Sequence, residues 1–97
     1  MSGINRLVAE KMGWNDSKGQ IPYGWNPSEN IKDAWVVLCE LYKIKGIEIT
    51  IEINNNEPNY LNIDKHIDRK TYPVVSCVEF ELDEFPLAIC KAFLEVA

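Results

Sequence analysis

Residues 47–53 read IEITIEI, with isoleucine at every second position and Glu48, Thr50 and Glu52 between the isoleucines. An apolar period of two residues is typical of a β-strand with one buried and one solvated face, as in antiparallel sheets. A strand of this kind buries its apolar face only against another layer of structure. The segment therefore predicts an antiparallel sheet that other elements of the chain cover.

The segment before this strand, residues 26–46, carries the clearest helix signal: NPSENIKDAWVVLCELYKIKG. Asn26 is a favourable N-cap and Pro27 fits the first helical position, with Ser28 as the alternative cap, while Gly46 closes the end. The spacing predicts an apolar face that packs in the core and includes a tryptophan. Its members are Ile31, Ala34, Trp35, Leu38, Leu41 and Tyr42.

Two further helices are predicted near the ends of the chain. Ser2 is expected to cap the first helix and Gly13 to end it, and Asp83 is expected to cap the last one. Their buried stripes follow helical spacing. The members are Ile4, Leu7, Val8 and Met12 in the first helix, and Leu87, Cys90, Phe93 and Leu94 in the last, with Ile89 and Val96 at its margin.

The remaining strand signals lie between residues 59 and 82. NYLNI begins one strand, and DKHIDRK after it is interpreted as a solvated connection or a strand end. Residues 71–82, TYPVVSCVEFEL, predict a central strand, because Val75 and Cys77 are apolar residues on its expected wet face. We therefore expect one α+β domain over residues 1–97: a three-layer α/β/α sandwich with three helices and a mainly antiparallel sheet of three or four strands.

Three stretches carry a resemblance to a known family: RLVAEKMGW near the start, WNPSENIKDAWVVLCEL in the middle and FPLAICKAFLEVA at the end. Together they resemble the phage ABA sandwich domain family of small phage and prophage proteins. The resemblance implies an α/β/α sandwich encoded by a phage or prophage. It implies no catalytic residues, since most members of that family have no assigned activity, and residues 54–70 match nothing in it.

Charge and composition narrow the classes of partner. The net charge of −5 disfavours general binding to phosphate backbones. The first residues lack the pattern of a signal peptide and no run approaches a membrane span, so we expect a protein of the host bacterial cytoplasm that does not bind membranes. Cys39, Cys77 and Cys90 are widely spaced, which predicts three free, buried, reduced thiols.

Catalytic and metal-binding patterns are weak. The chain has no GxGxxG, GxxxxGK[ST], HExxH or GxSxG motif, so we expect no enzyme, no catalytic residues and no cofactor. Asp64, His66 and Asp68 would share one face of an extended segment, but a solvated surface is favoured over a metal site. The acidic set Glu79, Glu81, Asp83 and Glu84 is interpreted as a strand edge that leads to a helix cap.

The sequence GWNDSKGQIPYGWN, residues 13–26, is the candidate ligand site. Aromatic rings stack on a base, amides read its edges, and a lysine and a helix N-terminus hold a phosphate. The competing and favoured interpretation is that the two tryptophans cover the core. The candidate ligand-binding residues are Trp14, Asn15, Lys18, Tyr23, Trp25, Asn26 and Ser28.

Two functions follow as hypotheses. The first is a non-enzymatic phage accessory protein that binds and neutralises a host component, either a host protein or a nucleotide-like small molecule such as an immune signal. The second is a self-assembling interaction module of a phage complex that has no small-molecule ligand. A homo-oligomer is expected, because the edge of the IEITIEI strand can pair with a second copy.

Overall fold

A computed structural model describes residues 3–97, so the proposed Ser2 cap lies outside the described residues. The model confirms the α+β class, with three helices and a three-stranded antiparallel sheet that form a small sandwich. Two short 3₁₀ turns are also present, Asp16–Lys18 within the loop of residues 13–26 and Leu82–Glu84 directly before the last helix. The elements are α1 (Gly3–Lys11), α2 (Ile31–Tyr42), β1 (Ile47–Glu52), β2 (Asn59–Ile67), β3 (Lys70–Phe80) and α3 (Phe85–Val96).

The strands pair in the order β1, β2, β3, so β2 is central and β3 lies at an edge, and the prediction of a central strand at residues 71–82 is wrong. The segment DKHIDRK is therefore strand and turn rather than a solvated connection. Ile67 pairs with Lys70 around a two-residue turn in which Asp68 and Arg69 have φ of 50° and 68°. Positive φ at both central residues is the geometry that joins twisted antiparallel strands most tightly. The turn thus extends both strands beyond the lengths that their apolar patterns indicate.

β3 departs from simple alternation because it contains extra residues relative to β2. Leu61 pairs with Val78 but Ile63 pairs with Val75, so three steps along β3 match two along β2. Cys77 lies within this bulge with φ of 48°, and its N–H donates to Asn62 Oδ1 at 2.6 Å. A bulge reverses which residues face the core. Val75 is consequently buried on the same side as Leu61, and no second helical layer is needed to cover it.

The helices pack on the face of the sheet that carries the isoleucines of β1. α3 contacts β3 and both other helices, and α2 contacts β1. The opposite face presents Glu48, Thr50 and Glu52 to solvent. Among residues 3–97, the apolar core between these layers contains nine residues with no exposed surface: Val8, Ala9, Ala34, Val37, Leu41, Leu61, Ile63, Ile89 and Cys90.

The side of α2 that faces the core differs from the prediction. Ala34, Val37 and Leu41 are fully buried, whereas Trp35 is 59% exposed and Tyr42 77% exposed. Five consecutive residues of α2, AWVVL, are apolar, so helical periodicity alone does not select the buried side. The prediction that Trp35 packs in the core is wrong.

α3 begins later than expected. Glu84 is its N-cap residue and makes no side-chain capping bond, and Pro86 lies in the first turn, where a missing N–H costs nothing. Asp83 instead lies within a 3₁₀ turn. Ile89, expected at the margin, is fully buried because α3 packs against elements on several sides. No helix among residues 3–97 is both long enough and apolar enough to cross a membrane.

Two isoleucines of β2 test its placement as the central strand. Ile63 is fully buried, so Ile63→Ala should lower the free energy of unfolding by about 3 kcal/mol through lost burial and the cavity it leaves. Ile67 is 45% exposed, so Ile67→Ala should cost about 1 kcal/mol or less. Urea denaturation of both variants measures the difference. Equal, small losses would contradict a central β2.

Candidate functional site

The candidate loop starts at the C-terminal end of α1. Gly13, with φ of 85°, donates its N–H to the Glu10 carbonyl at 3.0 Å, and Trp14 donates its N–H to the Ala9 carbonyl at 3.0 Å. This pair of bonds is a Schellman motif, which ends a helix and turns the following residue back over it. The expected helix end at Gly13 is confirmed, and the motif places Trp14 against the core.

The two tryptophans of the loop contact each other. Trp25 is only 5% exposed, and its Nε1–H donates to the Asn5 carbonyl at 3.1 Å. Its ring lies 4.7 Å from the Trp14 ring, centroid to centroid, at an interplanar angle of 63°. An edge-to-face pair is a favourable packing arrangement, and the buried N–H has a partner. Trp25 therefore closes the core, as the competing interpretation of this loop expects.

The polar residues after Trp25 bind other parts of the chain. Asn5 Nδ2 donates to Asn26 Oδ1 at 2.8 Å, and the Ser28 N–H donates to Asn5 Oδ1 at 2.9 Å. The Asn26 N–H donates to Asp33 Oδ2 at 2.9 Å. Asn5 is 2% exposed. These bonds hold the loop between α1 and α2, and they use polar atoms that the nucleotide hypothesis assigns to a ligand.

The N-terminus of α2 also differs from the prediction. Asn30, not Asn26 or Ser28, is the N-cap: its Oδ1 accepts from the N–H groups of Lys32 at 2.9 Å and Asp33 at 3.3 Å. Asn26 is unsuited to this role because its side chain faces Asn5. The hypothesis of a phosphate site at this helix start requires the backbone N–H groups of Ser28 and Glu29. The Ser28 N–H donates to Asn5 Oδ1 at 2.9 Å and the Glu29 N–H to the Asn26 carbonyl at 3.2 Å, so both groups are already bonded within the chain.

The other candidate residues of the loop lie nearer to solvent. Asn15 Oδ1 accepts from the Ser17 N–H at 2.9 Å, which caps the 3₁₀ turn Asp16–Lys18. Lys18 and Tyr23 are exposed. A shallow depression of about 420 Å³ is lined by residues 13–17 and Glu10, a set that contains Trp14 and Asn15 but none of the other five candidates. Trp14 and Trp25 of the loop therefore contact each other, but they do not line a common cavity.

A larger groove lies at the end of the sheet where the β1–β2 turn meets the end of β3. We call it the strand-end groove; it has a volume of about 1010 Å³ and is lined by residues 53–59, residues 79–82 and Glu84. Asn59, which is 8% exposed, fixes one wall by accepting from the Asn54 N–H at 2.8 Å and donating to the Phe80 carbonyl at 3.1 Å.

The chemistry of the strand-end groove combines carboxylates with exposed apolar side chains. The carboxylates are those of Glu57, Glu79, Glu81 and Glu84. Ile53 is 58% exposed and Leu82 59% exposed. The lining includes no lysine or arginine, so the groove repels phosphates and suits a positively charged partner. The sequence indicates a strand edge at Glu79, Glu81 and Glu84 but does not connect these residues with residues 53–59.

The outer face of the sheet holds the one histidine of the chain. His66 Nε2 lies 3.2 Å from Glu48 Oε2, and Thr71 Oγ1 lies 3.0 Å from His66 Nδ1. These contacts join all three strands. No group of three His, Cys, Asp or Glu residues within 3–97 is arranged to hold a metal ion, so the weaker hypothesis of a site at Asp64, His66 and Asp68 finds no support in the geometry.

The cysteines differ in exposure, contrary to the expectation that all three are buried. Cys39 and Cys77 are exposed and Cys90 is buried. Cys39 lies on the outward side of α2, and Cys77 is turned outward by the bulge of β3. Burial raises the pKa of the Cys90 thiol from 9.0 to about 12, because the thiolate would lose its hydration. Cys90 is therefore a protonated core residue and not a nucleophile.

Comparison with models of protein families, with curated proteins and with solved structures found no match to this chain.

The core-closing role of Trp25 is testable against its exposed neighbour. Trp25→Ala should lower the free energy of unfolding by about 4 kcal/mol, because it leaves a cavity and removes the hydrogen bond from Trp25 Nε1–H to the Asn5 carbonyl. Tyr23→Ala should change it by about 0.5 kcal/mol or less, since Tyr23 is fully exposed. Thermal and urea denaturation provide the comparison. A tolerated Trp25→Ala would show that the ring is not structural.

Thiol alkylation tests the burial of Cys90. Near neutral pH, iodoacetamide should label Cys39 and Cys77 in the native protein and Cys90 only after unfolding, as read by peptide mass spectrometry.

The raised pKa of the Cys90 thiol also makes the stability of the protein depend on pH. The unfolded thiol releases its proton first, so the free energy of unfolding should fall as the pH rises from 9.0 towards about 12. Rapid native labelling of Cys90 would contradict both statements.

Proposed function

We propose that this protein is a small, non-enzymatic phage or prophage accessory protein that acts in the host cytoplasm by binding and neutralising a host component. The phage assignment rests on the resemblance of the three sequence stretches to the phage ABA sandwich domain family. The binding assignment rests on the strand-end groove. An open groove with exposed apolar walls and convergent polar groups is a frequent form of binding site.

The chemistry of the groove favours a host protein over a nucleotide. Its carboxylates match a segment that contains lysine or arginine, and Ile53 and Leu82 match apolar side chains between those charges. A nucleotide-derived signal remains the small-molecule form of the proposal, at the depression beside Trp14. That form has less support, because the polar atoms of Asn26 and Ser28 already bind Asn5.

A defined peptide tests the cationic partner. A labelled peptide of alternating lysine and leucine should bind the protein in fluorescence anisotropy, and a matched peptide of glutamate and leucine should not. The double variant Glu79→Gln, Glu81→Gln should weaken binding about fivefold, since each exposed charge pair contributes about 0.5 kcal/mol. The control Glu10→Gln, Glu95→Gln also removes two exposed carboxylates but leaves the groove intact.

A thermal-shift assay with nucleotides, compared with the peptide titrations, separates the host-protein form of the proposal from the nucleotide form. A panel of cyclic and ADP-ribose nucleotides should give no thermal shift if the partner is a basic protein segment. If the peptide does not bind and a nucleotide raises the melting temperature, the binding site is the loop of residues 13–26 and not the strand-end groove. Equal weakening by the groove and control variants would show that peptide binding reflects only the net charge of the protein.

The second candidate function is a self-assembling interaction module, which includes the expected homo-oligomer. A specific observation favours it: α2 exposes large apolar side chains, with Trp35 at 59% and Tyr42 at 77%. Exposed apolar side chains grouped on one helix are typical of protein–protein contact sites. Light scattering that reports a monomer at every concentration would remove this candidate without affecting the groove.

A further inference from the structure

The exposed apolar residues of α2 form a regular stripe along the helix. Ile31 is 51% exposed, Trp35 59% and Tyr42 77%, and the half-buried Leu38 lies between them. Their spacing of four, three and four residues is that of the contact seam in a coiled coil. We call these four residues the α2 stripe. The buried residues Ala34 and Leu41 lie on the neighbouring side of the helix, and Leu38 packs partly against the core, so Ile31, Trp35 and Tyr42 supply most of the exposed surface of the stripe.

The area of the α2 stripe matches what a second copy of the chain would cover. A tryptophan or tyrosine buries about 150–250 Å² when fully covered, so four residues at these exposures present on the order of 400–500 Å². A specific interface removes at least about 1,000 Å² in total, which is about 500 Å² from each partner. When two copies contact each other through this stripe, the four side chains supply most of that area on each copy. The side chains that surround the stripe supply the rest.

The charges at the ends of α2 select the direction of packing. Glu29 precedes the helix, and Lys32 and Asp33 lie in its first turn, so this end carries a net charge of −1. Glu40 lies in the last turn and Lys43 and Lys45 follow the helix, so that end carries a net charge of +1. In an antiparallel pair the acidic end of one helix lies beside the basic end of the other, and the helix dipoles also oppose each other. A parallel pair would place like charges together. Lys43 Nζ already contacts Glu40 Oε1 at 3.0 Å, which leaves Lys45 as the cation for Glu29.

We propose that α2 packs antiparallel against α2 of a second copy, about a two-fold axis near residues 36–37. This proposal rests on the self-assembling candidate function and specifies its surface and partner. Trp35 then packs on Leu38 of the second copy, and Ile31 packs on Tyr42 of the second copy. A two-fold contact of this kind uses the same surface on both copies and closes at the dimer.

Substitution of Trp35 tests the surface. Analytical ultracentrifugation from about 1 μM to about 1 mM should show a concentration-dependent dimer, and Trp35→Glu should raise its dissociation constant at least about 30-fold, since a central tryptophan is a frequent hot spot. Tyr23→Glu is the control, because it places the same charge on an exposed aromatic position outside the stripe. Circular dichroism should show that both variants remain folded.

Charge reversal tests the direction. Glu29→Lys should weaken the dimer, and the double variant Glu29→Lys, Lys45→Glu should restore it, because the two charges meet only between antiparallel helices. If the two helices were parallel, the double variant would not restore the affinity of the dimer. That result would overturn the arrangement.

Cys39 supplies a direct probe beside the α2 stripe. Its alkylation rate should fall as the protein concentration rises through the dimerisation range, whereas that of the exposed Cys77 should not. A dimer that persists in Trp35→Glu, with Cys39 labelled at a constant rate, overturns the α2 contact and leaves self-assembly through another surface. A monomer at every concentration overturns both the α2 contact and self-assembly. It leaves the proposal for the strand-end groove unaffected, because peptide binding there is measured separately.

Discussion

Burial of α3 is the constraint on which the rest of the structure depends. α3 contacts α1, α2 and β3, and its Ile89 and Cys90 have no exposed surface. A chain of 97 residues has enough apolar surface for one core. With α3 at the centre of the helical layer, α2 lies over β1, and Trp35 and Tyr42 on the outward side of α2 remain exposed within residues 3–97. The exposed stripe of α2 is thus a consequence of how the core is completed.

Local signals predicted the elements well where they were unambiguous. The alternation of IEITIEI identifies β1, and Gly13 ends α1 as its sequence position indicates. The sequence failed where several solutions satisfied the same local rule. Asn26 and Asn30 are both good N-caps, and only the bond from Asn5 to Asn26 selects Asn30. The bulge at Cys77 likewise reverses the faces of β3 and cannot be read from alternation.

The two candidate sites differ in the same way: the residues of one are adjacent in the sequence, whereas those of the other come together only in the folded sheet. The aromatic loop stands out in the sequence because its residues are adjacent, yet the structure uses Trp25 and Asn26 to attach the loop to α1. The strand-end groove is formed by residues 53–59 together with residues 79–82 and Glu84, which the pairing of Asn59 with Phe80 brings together. Without the register of the sheet, its carboxylates and its asparagine-rich turn have no visible relation.

We propose that this protein acts by binding partners through the strand-end groove and the α2 stripe, whereas Trp25 of the loop between α1 and α2 packs in the core. Native mass spectrometry of the protein purified from its own host tests this claim most directly, since it reports the number of copies and any retained molecule in one measurement. We expect a mass of two copies, alone or with a bound protein, and no added small molecule. A single copy that carries a nucleotide-sized mass would contradict it.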